Sequence, residues 1–137
     1  LKDIDGRCLC GDIHWEASLD PELVGVCHCN DCQTVGGSAF QFTTRVARHH
    51  FTVLSGALTV YEKIAESGNP RAMSFADVAT MIHTGSTDNT GLLSLRLGGC
   101  RQRHEFMPRF QIWCQSALSW ATFQSGIKVP DQEIPAK

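Results

Sequence analysis

The sequence predicts a mainly β domain built from antiparallel strands. Three observations carry that expectation. Period-two alternation of apolar and polar residues recurs more often than helical spacing. Turn signals at Ser55-Gly56, Ser67-Gly68-Asn69-Pro70, Asp88-Asn89-Thr90-Gly91 and Gly98-Gly99 separate the short apolar runs. A length of 137 residues, 42% hydrophobic and 19% charged, suits one globular domain over 1–137 rather than a disordered chain.

The elements follow in chain order. In GDIHWEAS, Ile13, Trp15 and Ala17 face one way and His14 and Glu16 the other. Asn30-Asp31-Cys32-Gln33 reads as one short helical turn, with Asn30 as its N-cap and Gln33 three residues on. In SAFQFTTRV, Phe40, Phe42, Thr44 and Val46 alternate with Gln41, Thr43 and Arg45. FTVL is a further strand. In ALTVYEKIA, Leu58, Val60, Glu62 and Ile64 share one parity, with Glu62 spoiling an otherwise apolar face. LLSLRL and FQIWC complete the strands. The tail 128–137, with its prolines and charges, reads as a surface arm. No internal repeat or low-complexity segment is present.

Composition excludes several partners. Net charge is −2, from 12 basic and 14 acidic residues with no basic stripe, so a nucleic-acid phosphate surface is not expected. No apolar run approaches the roughly 18 residues that cross a bilayer, and no membrane partner is expected. No signal-peptide pattern is visible, and the expected compartment is the cytoplasm. The seven cysteines are an odd number, which argues against a complete set of internal disulfides. Cys8, Cys10, Cys27, Cys29 and Cys32 lie in two tight clusters. A metal ion gathers ligands around one point, whereas disulfide partners are more often far apart in sequence, so metal is the expectation.

Cys27 and Cys29 are two apart and share a face of an extended backbone. Cys32 follows at the CxxC interval, where a tight turn returns its sulfur to the same ion. Zinc takes four ligands in a tetrahedron, so three sulfurs leave one corner. His28 points away from its cysteine neighbours on an extended segment and is expected to pack or hydrogen-bond. His49, His50, His83 and His104 stay open as a fourth ligand. Spacing supports both a structural zinc closed by a distant residue and a catalytic zinc whose fourth corner takes water or substrate.

GRCLCGDIHWE followed by CHCNDCQTVGGSAF resembles the glutathione-dependent formaldehyde-activating enzyme (GFA) family. The shared order is Gly-x-Cys-x-Cys-Gly, then Cys-His-Cys-x-x-Cys, then a Gly-Ser stretch into an aromatic strand. Later pieces agree: Tyr61, the turn at Glu66 to Gly68, Arg71, the strand Gln111 to Trp113, Ser116 and Trp120. The resemblance implies an Mss4-like fold of several coiled antiparallel β-sheets carrying zinc. It implies Zn2+ on Cys27, Cys29 and Cys32 with an exchangeable fourth position. It also implies glutathione as co-substrate, formaldehyde as the aldehyde, and the activity of a carbon–sulfur lyase that makes or breaks S-hydroxymethylglutathione. No general base is named. The alternative reading is a non-catalytic zinc-binding β domain used for protein or nucleic-acid contacts.

One part of the pattern breaks. The family's second, structural zinc uses the first CxC, here Cys8 and Cys10, and a later Phe-Cys-x-x-Cys-Gly. Aligned on the turn and Arg71, that motif falls on Phe75-Ala76-Asp77-Val78-Ala79-Thr80, where both cysteines are alanine. Two thiolates do not complete a tetrahedron, so a second zinc at Cys8 and Cys10 is in doubt. Asp77, His83 or Cys100 are candidate replacement ligands. The favoured expectation is apolar packing around Phe75, Val78, Met81 and Ile82 in place of the metal. Cys114, Trp15, Trp113 and Trp120 are expected in the core, and Cys100 at an exposed turn.

Overall fold

The computed structural model describes residues 1–78, 80–121 and 123. The arm at 128–137 and Ala79 lie outside the described residues. In chain order the elements are β1 (Lys2–Arg7), β2 (His14–Leu19), β3 (Val24–Cys27), α1 (Asn30–Gly36), β4 (Gln41–Ala47), β5 (Phe51–Ser55), β6 (Thr59–Ile64), β7 (Pro70–Phe75), β8 (Met81–Ser86), β9 (Leu92–Arg96) and β10 (Phe110–Ile112). Short 3-10 turns connect several of them. The mainly β expectation holds, and no helix of the described residues is long and apolar enough to cross a membrane.

Among the described residues the strands form two sheets. One has three strands in the order β1-β2-β5; the other has seven, in the order β10-β3-β4-β9-β8-β7-β6. Among the described residues β10 and β3 run parallel and the other strand pairs antiparallel. The large sheet is therefore mixed, a point that strand spacing did not indicate.

The core sits where the two sheets face each other. Alternation in β2 buries Trp15, Ala17 and Leu19 and exposes Glu16. They meet Val46 from β4 and Leu95 from β9, and Leu97 beyond β9, in one cluster. Each fully buried leucine in it contributes about 1.5–3 kcal/mol. The register of β4 with β9 pairs Thr43 with Arg96, Thr44 with Leu95 and Arg45 with Ser94. Directly paired residues share a face. The Thr44, Val46, Leu93 and Leu95 parity therefore builds the core, and the Thr43, Arg45, Ser94 and Arg96 parity lies on the opposite face of the sheet. That second face carries the site.

Several expectations change. Trp15 is core at 1% exposure, but Trp120 is 71% exposed and Trp113 is only half-buried. Cys100 is fully buried, because its turn folds back to bridge Gly6 in β1. Cys114 is half-buried, since it follows the short edge strand β10 rather than a central one. In the segment that departs from the family pattern, Ala76, Met81 and Ile82 are buried, whereas Val78 is 52% exposed on the β7–β8 turn.

Candidate metal centre

β3 ends at Cys27, between Gln41 of β4 and Ile112 of β10. The next residue, His28, donates its backbone N–H to Ile112 O at 3.0 Å, which holds the chain extended. Cys29 is also extended (φ −61°, ψ 157°). Cys27 and Cys29 therefore project to one side and His28 to the other. His28 is fully buried, its Nε2 is 3.0 Å from Gln111 Oε1, and its ring lies against Phe40 and Phe123.

α1 then turns Cys32 back toward the first two sulfurs. Its N-cap is Cys29, not Asn30: the Cys29 sulfur accepts the Cys32 N–H at 3.3 Å. Gln33 consequently leaves the capping-box role expected for it. Its Nε2 instead donates to His28 O at 2.7 Å and to Ser116 O at 2.8 Å. The helix stops at Gly37, whose φ of 58° is the left-handed conformation that favours glycine. Asp31 pairs with Lys63 of β6 at 2.8 Å, and Asn30 donates to Glu66, so the helix start is tied to the next hairpin.

The sulfurs of Cys27, Cys29 and Cys32 all lie within 4.8 Å of one another. Zinc–sulfur bonds of about 2.3 Å require sulfurs roughly 3.8 Å apart in a tetrahedron, so the donor set fits the ion the resemblance implies. Among the described residues no fourth His, Cys, Asp or Glu donor joins them. The neighbouring Cys27, then Cys32, hold the Cys29 thiol far below its ordinary value. Cys29, then Cys32, and then burial push Cys27 up.

A cavity of about 90 Å3 opens beside the sulfurs. Met73, Met81 and Trp113 supply its apolar wall, and Arg45, Arg71 and Arg96 its cations. Arg96 Nη2 stands 3.8 Å from Cys32 Sγ and 2.9 Å from Thr84 Oγ1, while Nη1 donates to Ser94 O at 2.8 Å. Burial, then Arg45 and Arg96, hold Arg71 below the usual guanidinium value. Trp113 is in the left-handed region at φ 58°, which is rare for a bulky residue. That turn lets the chain leave β10 with Trp113 at the cavity beside Cys29.

Cys8 and Cys10 sit elsewhere, in the β1–β2 connection, with sulfurs 3.2 Å apart. Cys8 is buried and accepts the Ile13 N–H at 3.2 Å; Cys10 is exposed. Ala76 shares the core cluster with Cys8 and Ile13. The replacement ligands considered above are engaged otherwise. Asp77 accepts from Thr59 at 2.9 Å, the His83 ring meets Phe51 edge-on, and Cys100 is in the core. Arg45, Arg96, Asp31 and Trp113 line the cavity although the sequence assigned them no site role, Arg45 being read as a strand residue, Asp31 as part of a helical turn and Trp113 as core. A usable signal existed for Arg96, a cation inside the leucine run LLSLRL, and for Arg45, on the polar parity of β4.

A crystal structure of a Rhodobacter sphaeroides protein superposes with a TM-score of 0.56 at 18% identity, covering 76% of this chain and 97% of that one. At that identity the likeness concerns the fold. No curated protein is a significant match. The sequence profile of the glutathione-dependent formaldehyde-activating enzyme family matches residues 3–116, which include both cysteine clusters, all three cavity arginines and, apart from Lys2, every strand of the described residues. The chain belongs to that family.

Proposed function

We propose that the chain is a zinc-dependent carbon–sulfur lyase of the GFA type, adding formaldehyde to a small thiol such as glutathione or removing it. The observation that supports this most is the sulfur triad beside a cavity with no fourth donor among the described residues. Catalytic zinc sites have three protein ligands and leave one position to water or substrate. A bound zinc ion favours the thiolate of a thiol at that position, and the thiolate is the nucleophile.

The protein's own residues hold and enclose the reactants. Cys27, Cys29 and Cys32 hold the ion, and Trp113, Met73 and Met81 limit water at the reacting centre. Holding two reactants side by side lowers the barrier considerably. In the addition, the sulfur–carbon bond forms as the carbonyl π pair moves onto oxygen. That oxygen takes up the proton the thiol has given up, and the reverse reaction breaks the carbon–sulfur bond. No side chain is assigned as a general base. At Cys8 and Cys10 we propose no second metal, since buried Ala76 leaves that loop without a sulfur partner. The cytoplasm, where glutathione keeps thiols reduced, suits this chemistry.

The test is adduct exchange measured by NMR with zinc-loaded protein, formaldehyde and glutathione. Acceleration of S-hydroxymethylglutathione formation, lost in Cys29→Ser together with the zinc, is the expected outcome. An ion closed by a fourth protein ligand, with no acceleration, would leave the non-catalytic zinc domain as the better reading.

A further inference from the structure

We propose that Cys8 and Cys10 form a redox-active dithiol that reacts with small-molecule disulfides and closes reversibly into an intrachain disulfide. This stands apart from the lyase reading, since neither sulfur belongs to the triad or lines the cavity beside it.

The local backbone brings the two sulfurs together. In the β1–β2 connection Gly11 donates its N–H to Cys8 O at 3.1 Å and closes a tight turn. Its φ of 83° is a conformation that glycine adopts without strain. The turn leaves Leu9 89% exposed and returns the Cys10 sulfur to 3.2 Å from that of Cys8. A disulfide bond is about 2.05 Å long, so closure takes a shift of roughly 1 Å. Two ties hold the loop in this shape. Leu9 donates its N–H to Thr80 Oγ1 at 3.2 Å on the β7–β8 turn, and Cys8 donates its own to Ile13 O at 3.1 Å. Among the described residues no third His, Cys, Asp or Glu donor joins these two sulfurs, whereas zinc takes four ligands. Their contact therefore serves sulfur chemistry better than it serves a metal.

Unequal access assigns the roles. Cys10 is exposed, while Cys8 is 5% exposed within the core cluster. A reagent arriving from solvent meets Cys10 first and cannot reach Cys8. An accessible sulfur with a second one poised against it is the arrangement of redox-sensing cysteines. In the first step the Cys10 thiolate attacks one sulfur of a small disulfide. A bond forms between them, and the other half leaves as a thiolate and takes up a proton. In the second step the Cys8 thiolate attacks the Cys10 sulfur. The Cys8–Cys10 bond forms, and the remaining half leaves and takes up the second proton. Two protein thiols are oxidised, and one small disulfide is reduced to two thiols. A bond across a single intervening residue is strained, and strained or exposed disulfides are the readily reduced ones. An excess of small thiol therefore runs both steps backwards.

Mass spectrometry tests this. Zinc-loaded protein is incubated with excess oxidised glutathione, quenched with acid, alkylated and cleaved on the N-terminal side of aspartate. Fragment 5–11 then carries Cys8 and Cys10 free of the Cys27 cluster. The expected result is loss of two hydrogens from that fragment, restored by dithiothreitol. Cys8→Ala is expected to stop at the mixed disulfide, with one glutathione held on Cys10. Cys10→Ser is expected to stay unmodified, because buried Cys8 is out of reach. Wild type and Cys10→Ser decide the matter if Cys8→Ala does not fold. Two unchanged thiols in the wild type would overturn the proposal, as would a mixed disulfide that Cys8 never resolves or a link between two chains through Cys10. Glutathione captured by Cys8 in Cys10→Ser, or a second zinc ion that this variant loses, would overturn it equally. Because fragment 5–11 is read separately from the triad, a protein without lyase activity leaves the test intact.

Discussion

Gln33 links two carbonyls that belong to distant parts of the chain. One is His28 O, between Cys27 and Cys29; the other is Ser116 O, just past the turn that aims Trp113. Its side chain thus fixes the sulfur loop and the cavity wall against each other. Groups that orient metal ligands in this way typically cost 10–100-fold in affinity when removed. Gln33→Ala is therefore expected to weaken zinc binding about tenfold or more, read by competition with a chromophoric chelator. An unchanged affinity would mean that β3 and β10 hold the loop without it. At this scale the sequence was legible where backbone geometry is regular. The outward turn of His28 follows from an extended Cys-His-Cys, and the cation face of β4 follows from parity. Gln33 was read as a capping residue because the cap was assigned to an amide, while the molecule uses a sulfur. Trp113 was read as core because a positive φ at a tryptophan leaves no mark in composition or spacing.

The parallel pair of β3 and β10 decides where the far wall of the site stands. Gly25 lies beneath Phe110: a Cβ at this position would come within 2.5 Å of the ring. The two strands can approach only because residue 25 has no side chain. Gly25→Ala is expected to cost about 1–3 kcal/mol, seen as a lower urea midpoint, and to displace β10 with Trp113. A wild-type midpoint and wild-type tryptophan fluorescence would show that the ring simply moves aside. β2, β4 and β9 were readable because each has one buried face and one wet or polar face. β3 was missed for the opposite reason: all four of its residues are buried, so it shows no alternation. β1 was missed because Ile4 is the one large apolar side chain on its inward parity, Gly6 being the other buried position. Besides its ladder with β2, it is fastened through Asp5, which accepts from Arg101 at 2.6 Å and from Gln102 at 3.0 Å.

Among the described residues, His83 contributes to acid sensitivity at higher pH than Asp5 and Asp88 do. Burial, followed by Arg48 and Arg96, lowers His83 from 6.5 to about 4. Between those values the unfolded chain takes up a proton that the folded chain refuses, so stability falls as pH drops from 6.5 toward 4. Arg101 and Gln102 lower Asp5 from 3.8 to about 2, so its contribution is complete above 3.8 and is lost as pH falls through 2. The expected acid curve therefore starts to decline well above the carboxylate range. His83→Gln should flatten the change in urea midpoint between about pH 7 and pH 5 and leave the later loss intact. A mutant with an unaltered slope would place the early decline elsewhere. The overall architecture was legible as mainly β with its site near Cys27. The mixed sheet and the arginine face were not, because strand order brings together residues that no local window contains. That same contrast separates the two halves of the site in folding. Cys27, Cys29 and Cys32 are near neighbours in the chain, while Arg45, Arg71 and Arg96 meet only when β4, β7 and β9 have paired. Closing long loops is what delays non-local contacts. The sulfur triad can thus come together in a half-folded chain, whereas the arginine-lined cavity beside it requires the finished sheet.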